Sequence, residues 1–205
     1  MVQYKLHYFD LAGRGEPIRL LFNYKGQPFE DIRIKKDEWP AIKSIECFFG
    51  QVPVLEVDGK QLAQSGAIMQ FLGNKFGLAG KDDWEEAKAL EMCFLTDEFS
   101  TAASPYVGAK FGFREGDLEK LRKDVFLPAL EKYLPFYEKR LEESNSGFIL
   151  PSGISYIDFS VAHFIGMLNT LEKDIMSSKY PKLVEYSNRI HSLPQLKEYL
   201  SKRKI

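Results

Sequence analysis

The sequence predicts a small α/β domain followed by an all-helical one. Up to about residue 80, short β-rich runs alternate with stretches of helical spacing, and beyond it long helical patterns dominate. The β, α, β, short helix, hairpin, helix order of the first part describes a compact sheet covered by helices. At 205 residues the chain is long enough to bury a core in each part.

The first strand is expected over residues 3–9, where Val2, Tyr4, Leu6 and Tyr8 share one face and Gln3, Lys5, His7 and Phe9 the other. Tyr8 closes the apolar series. Beyond Asp10, Gly13 and Gly15 permit backbone geometry closed to other residues, and Pro17 suits a first helical turn. Ile18, Leu21 and Phe22 then recur at helical spacing. A second strand is expected over 29–34 and a short helical segment after it. Strands at 52–57 and 61–63 flank Asp58-Gly59, a hairpin turn signal, and a helix runs from Ser65 to about Phe76.

Residues 83–111 predict a long helix bent near Pro105, with Leu90, Phe94, Asp97 and Thr101 along one side and Met92, Leu95 and Phe99 along another. A further amphipathic stretch covers 118–141, with Pro128 and Pro135 as bends. Ser155 followed three residues later by Asp158 reads as a helix start, with Ile154 against Phe159 as a hydrophobic staple, so Asp158 serves folding. Helical segments over 182–191 and 195–202 end the chain.

Twenty-eight basic and 29 acidic residues give a net charge of −1, so no field points to nucleic acid or an anionic membrane as partner. Cys47 and Cys93 are too distant for a redox pair and too few for a disulfide framework, which fits a reducing, cytoplasmic setting. No signal peptide is expected, and Pro151, Gly153, Asp158 and His163 interrupt the most apolar region, so no membrane span is expected either. His7, His163 and His191 lack metal-ligand spacing, and no metal is expected.

The strand end offers chemistry of its own. A phenol beside a glycine-loosened helix start is a place to stabilise a small anion, and with a pKa near 10 it begins protonated, as a donor. Ser65 opens a helix whose unpaired N–H groups favour a second anion. Plain capping is compatible with that.

Tyr8 and Arg14 at the junction, Gly50-Gln51-Val52-Pro53-Val54-Leu55 before the hairpin, Gln64-Ser65-Gly66-Ala67-Ile68 after it, and the Ser155/Asp158 box form a specific ordered set. With these residues the chain resembles the cytosolic glutathione S-transferases, nearest the sigma-type and related nematode forms, over essentially all its length. The resemblance implies a thioredoxin-like glutathione-binding domain over residues 1–79 and an all-α domain over 81–205 that supplies a hydrophobic pocket. Redox members of the thioredoxin-like fold carry a cysteine at the junction; residues 7–17 have none, which disfavours disulfide exchange.

The same resemblance makes glutathione a co-substrate, with no cofactor, and assigns roles along the chain. Tyr8 would donate to the glutathione sulfur, with Arg14 adding positive potential. Pro53 would follow a cis bond, Val52 would pair with the cysteinyl unit as an added strand, and Ser65 would hold the γ-glutamyl carboxylate. Gln51 and Gln64 would supply amide contacts, and Trp39 and Lys43 would reach the glycyl end. Asp97 would reach across a two-fold homodimer to the neighbouring subunit's glutathione. Phe9, Leu11, Gly13, Tyr106, Lys110 and Phe113 would wall the electrophile pocket.

Blander readings stand beside these: a core tyrosine for Tyr8, an Arg14–Glu16 ion pair, a packed Trp39, a solvated Lys43. Glu46-Cys47-Phe48-Phe49-Gly50 is one residue longer than the sigma-like pattern, which bears on the glycyl end. Two rival functions share the architecture, a glutathione-dependent prostaglandin isomerase and a non-catalytic carrier of hydrophobic ligands such as haem.

Overall fold

The computed structural model describes residues 2–43 and 49–203; Cys47 and Phe48 of the lengthened segment before Gly50 lie outside the described residues. Strands β1 (Tyr4–Phe9), β2 (Glu30–Ile34), β3 (Val54–Val57) and β4 (Lys60–Ala63) form a mixed sheet in the order β2-β1-β3-β4. β1 runs parallel to β2, with Tyr8 opposite Arg33, and antiparallel to β3, with Leu6 opposite Leu55. Helices α1 (Glu16–Lys25), α2 (Trp39–Ile42) and α3 (Ser65–Phe76) complete this layer. The parallel β1–β2 pair needs the crossover that α1 provides, whereas Asp58-Gly59 closes the β3–β4 hairpin with both residues at positive φ.

β1 is central, and burial there exceeds simple alternation: His7 is buried along with Tyr4, Leu6 and Tyr8, whereas Val2 lies outside the strand and is exposed. The core beneath it is aliphatic and aromatic, with Ile18, Leu21, Phe22, Leu55, Ile68 and Leu72 fully buried.

The remaining helices are α4 (Asp83–Lys110), α5 (Leu118–Leu121), α6 (Leu127–Ser144), α7 (Tyr156–Leu171), α8 (Lys173–Lys179), α9 (Pro181–His191) and α10 (Lys197–Lys202). α4 runs unbroken through Pro105 for 28 residues. α5 and α6 are joined by a π-helical segment, Arg122–Phe126, where a single amphipathic stretch was expected. Pro128 follows the π-helical segment directly, and Pro135 lies inside α6. α8 is an additional short helix that the sequence pattern did not reveal.

α7 is the spine of the helical part and begins with the predicted Ser155/Asp158 capping box. Asp158 is fully buried. One carboxylate oxygen accepts from the Ile149 N–H at 2.9 Å and the Tyr186 hydroxyl at 2.8 Å, the other from the Ser155 N–H at 2.8 Å and the Ser155 hydroxyl at 2.9 Å. The Tyr156 N–H donates to the Leu78 carbonyl at 2.8 Å, and Gly73 on α3 lets the Tyr156 ring lie against the helix, where a Cβ would come within 2.4 Å of it. The same turn therefore caps a helix and joins the two layers.

Candidate active site

A cavity of about 490 Å³ opens between the end of β1, the start of α3, and α4 and α7. Tyr8, Arg14, Ser65 and Asp97 all line it, together with Phe9, Leu11, Gly13 and Phe113. These eight line one space, whereas Trp39, Lys43, Gln51, Val52, Pro53 and Gln64 are not among its lining residues.

The Tyr8 hydroxyl accepts the Arg14 backbone N–H at 2.9 Å. Among the described residues nothing accepts its own proton. Burial pushes the phenol pKa up, while the Arg14 N–H and the charges of Arg14 and Arg19 pull it down. The balance is upward, so the phenol is a neutral donor.

The turn Gly13–Gly15 fits around this ring for two different reasons. Gly13 has φ +41°, and a Cβ on it would sit 2.6 Å from the Tyr8 oxygen. Gly15 has an ordinary φ, −81°, so the expected backbone freedom is not its reason. A Cβ there would meet the Tyr8 ring at 2.5 Å, and glycine is needed for close approach alone.

Arg14 does not pair with Glu16. Its guanidinium meets Asp97 on α4 at 3.3 Å, an exposed pair spanning the two layers within one chain. Glu16 is instead buried, accepting from the Tyr199 hydroxyl at 2.9 Å and from Arg203 at 2.8 Å. Burial opposes its charge, but Arg203 and Tyr199 outweigh that and hold its carboxyl below the usual range. Arg19 is fully buried beneath the same loop, donating to the Leu11 carbonyl at 2.8 Å and the Phe9 carbonyl at 3.3 Å, paired with Asp31, and 5.6 Å from the Tyr8 ring centroid. His163 on α7 lines the same cavity, and burial pushes its pKa down to about 4.

On the far side of Tyr8, the Val52-Pro53 bond is cis. Gln64 and Gln51 join side-chain amides at 3.3 Å, and Gln64 has φ +71°, an uncommon conformation for a residue with a side chain. Gln64 is the N-cap of α3 and Ser65 its first residue; no side chain caps this helix, so plain capping by Ser65 is excluded. Trp39 stacks edge-on against Phe9 at 5.3 Å, which makes it a packed aromatic of the loop wall. Lys43, exposed at the end of α2, brings its carbonyl to within 3.8 Å of where a Gly50 Cβ would stand.

Two pocket expectations need correction. Tyr106 turns away from the cavity into the core, stacking on Phe126 and donating to Glu172 at 3.3 Å. Lys110, exposed in the last turn of α4, is not among the lining residues. Helical spacing alone does not distinguish the two sides of an end that packs on both. The cavity wall is supplied instead by Val107, Phe164 and Met167, with Cys93, whose thiol burial pushes up to about 11.

Residues 4–74 match the family model described as "Glutathione S-transferase, N-terminal domain", and residues 102–203 the one described as "Glutathione S-transferase, C-terminal domain". The chain belongs to the glutathione S-transferase family. Among its relatives, "Probable glutathione S-transferase 5" of Caenorhabditis elegans is 42% identical over 206 residues, covering 100% of this chain and 99% of the relative. A crystal structure of a C. elegans glutathione S-transferase superposes with a TM-score of 0.95 at 42% identity, covering 100% and 99% of the two chains. A glutathione S-transferase of the hookworm Necator americanus, described as monomeric, has a TM-score of 0.92 at 40% identity, covering 99% of this chain and 98% of its own. Family membership agrees with the thioredoxin-like first layer and helical second layer.

Sequence reasoning missed the groups that support this turn, the buried Glu16 and Arg19 and the partly buried His163, Tyr199 and Arg203. One of them left a visible signal: Arg19 interrupts the apolar run Ile18 to Phe22, and a charge on an apolar helix face needs partners.

Proposed function

We propose that this chain conjugates the thiolate of glutathione to hydrophobic electrophiles, with Tyr8 as the catalytic donor and Arg14 as its electrostatic partner. The observation that carries the reading is the Tyr8 hydroxyl, which accepts from Arg14 and keeps its own proton for the cavity. A free thiol titrates near about 8.5, so at neutral pH most glutathione is protonated, and the thiolate is the nucleophile. A neutral phenol donating to sulfur favours the ionised form, and each unit of lowered thiol pKa is about 1.4 kcal/mol of differential stabilisation.

The tripeptide would lie along Val52 and Pro53, with its γ-glutamyl carboxylate at the uncapped start of α3 near Ser65 and its amides met by Gln51 and Gln64. Trp39 and Lys43 would border the glycyl end. Residues 1–79 would form the glutathione-binding domain and 81–205 the domain completing the electrophile pocket, to which Phe9 and Gly13 also contribute.

A sigma-like, cytoplasmic, detoxifying homodimer completes the proposal. Among the described residues no helix is long and apolar enough to cross a membrane. A groove of about 640 Å³ between α4 and α6, with Phe94 65% and Phe136 49% exposed, supports association. Asp97 would then serve the neighbouring site as well as its Arg14 bridge. Sedimentation at micromolar concentration tests the dimer, since the hookworm relative is described as monomeric.

The decisive experiment is Tyr8→Phe assayed with a chromogenic chloronitroarene. The variant should bind glutathione while turnover falls about 10²-fold, the loss expected when one oriented donor to a developing anion is removed. Unchanged turnover would overturn the assignment of Tyr8.

A further inference from the structure

With glutathione on the Tyr8 and Ser65 side, the cavity retains a second half walled by Val107, Phe113, Phe164 and Met167. Its charged lining is easily accounted for. Arg14 and Asp97 neutralise each other at 3.3 Å, and His163 is uncharged at neutral pH. The remaining charge is Arg114, which has no side-chain ion pair or hydrogen bond among the described residues.

The chain holds this cation in place by construction. After α4 ends at Lys110 the backbone folds back, and the N–H groups of Phe113 and Arg114 both donate to the Gly108 carbonyl, at 2.7 and 3.3 Å. The Arg114 side chain then lies over Gly108, where a Cβ would stand 2.9 Å from its Nε and 3.1 Å from its Cδ. A side chain at 108 would make the Arg114 chain shift from this position. A guanidinium is charged at every working pH and presents a planar fork that matches a carboxylate. Arg114 and Phe113 beside it are solvent-exposed, so this cation meets an entering anion with no partner to displace.

We propose that Arg114 determines specificity in the electrophile half, so that the enzyme prefers apolar electrophiles bearing a carboxylate, held on Arg114 with the reactive carbon toward Tyr8. The proposal rests on the transferase reading above. The test compares a chlorodinitrobenzoate with its methyl ester. In both, the glutathione sulfur bonds to the ring carbon that carries chlorine and chloride leaves with the bonding pair.

The ratio of kcat/KM for acid over ester should fall about tenfold in Arg114→Gln, which is ~1.4 kcal/mol. Arg114→Lys should retain most of the ratio. A Gln ratio within twofold of the parent, or Lys and Gln losing it equally, overturns the proposal. Calorimetric binding of the S-aryl glutathione products, acid and ester, repeats the comparison without turnover. A parent protein that accelerates neither reaction yet binds the acid product tenfold better through Arg114 would refute the transferase reading and leave the carboxylate site standing.

Discussion

Replacing Asp158 with alanine removes an acceptor from four donors at once. The Ile149 and Ser155 N–H groups and the Tyr186 hydroxyl are left in a site with no solvent access, and the Ser155 hydroxyl loses its partner. Each buried donor without an acceptor costs about 1–3 kcal/mol, and loss of a helix cap alone costs about 1. Local rotation of Tyr186 and Ser155 offsets part of this, so the expected loss is about 4 kcal/mol. For a chain of this size, at about 2–4 °C per kcal/mol, the melting temperature should fall by ~8–16 °C.

Asp158→Asn keeps one carbonyl oxygen and so one pair of donors; it should lose about half as much. Urea titration followed by far-UV circular dichroism measures both, with parent and variants at one pH and without glutathione. Asp158 is not part of the cavity lining, so the Asn variant should bind glutathione at 20 °C as the parent does. An alanine variant within 1 kcal/mol of the parent would refute the reasoning, because four hydrogen bonds at 2.8–2.9 Å could not then be carrying the turn.

Gly15→Ala forces a methyl to 2.5 Å from the Tyr8 ring; it should destabilise by about 1–3 kcal/mol and cut kcat/KM at least tenfold, read by steady-state kinetics. His163 titrates near 6.5 when unfolded and at about 4 in the native protein, so the unfolded chain takes the proton first. Its stabilising effect is complete above pH 6.5 and is lost as pH falls toward 4. The urea midpoint of His163→Asn should therefore drop less than the parent's between pH 7 and 4, and parallel curves would contradict this assignment.

Part of the cavity lining was legible because it is written locally. A strand ending in Tyr8, a turn with two glycines and a helix beginning at Ser65 are each written within a few residues, and the structure places them around one cavity. Asp158 was legible for the same reason, since a capping box spans three residues. What escaped were pairings across the fold. Whether Arg14 meets Glu16 or Asp97 depends on how α4 lies against the loop, and the blander Glu16 reading rested on sequence proximity alone. Tyr106 shows the limit of periodicity: α4 packs on two sides near its end, and spacing does not say which side opens to the cavity. The reason for Gly15 was likewise out of reach, because it lies in the ring opposite and not in its own backbone angles.

The buried carboxylate of Glu16 is met by groups 183 and 187 residues further along the chain. At about 5–20 residues per second, a ribosome takes roughly 10–40 s to supply them after Glu16 is made. During that interval the sheet can form, yet the turn bearing Arg14 lacks its final ties. This early segment is therefore among the last to be finished, and a nascent chain stalled before α10 would leave the Glu16 carboxylate with Arg19 but without Tyr199 and Arg203.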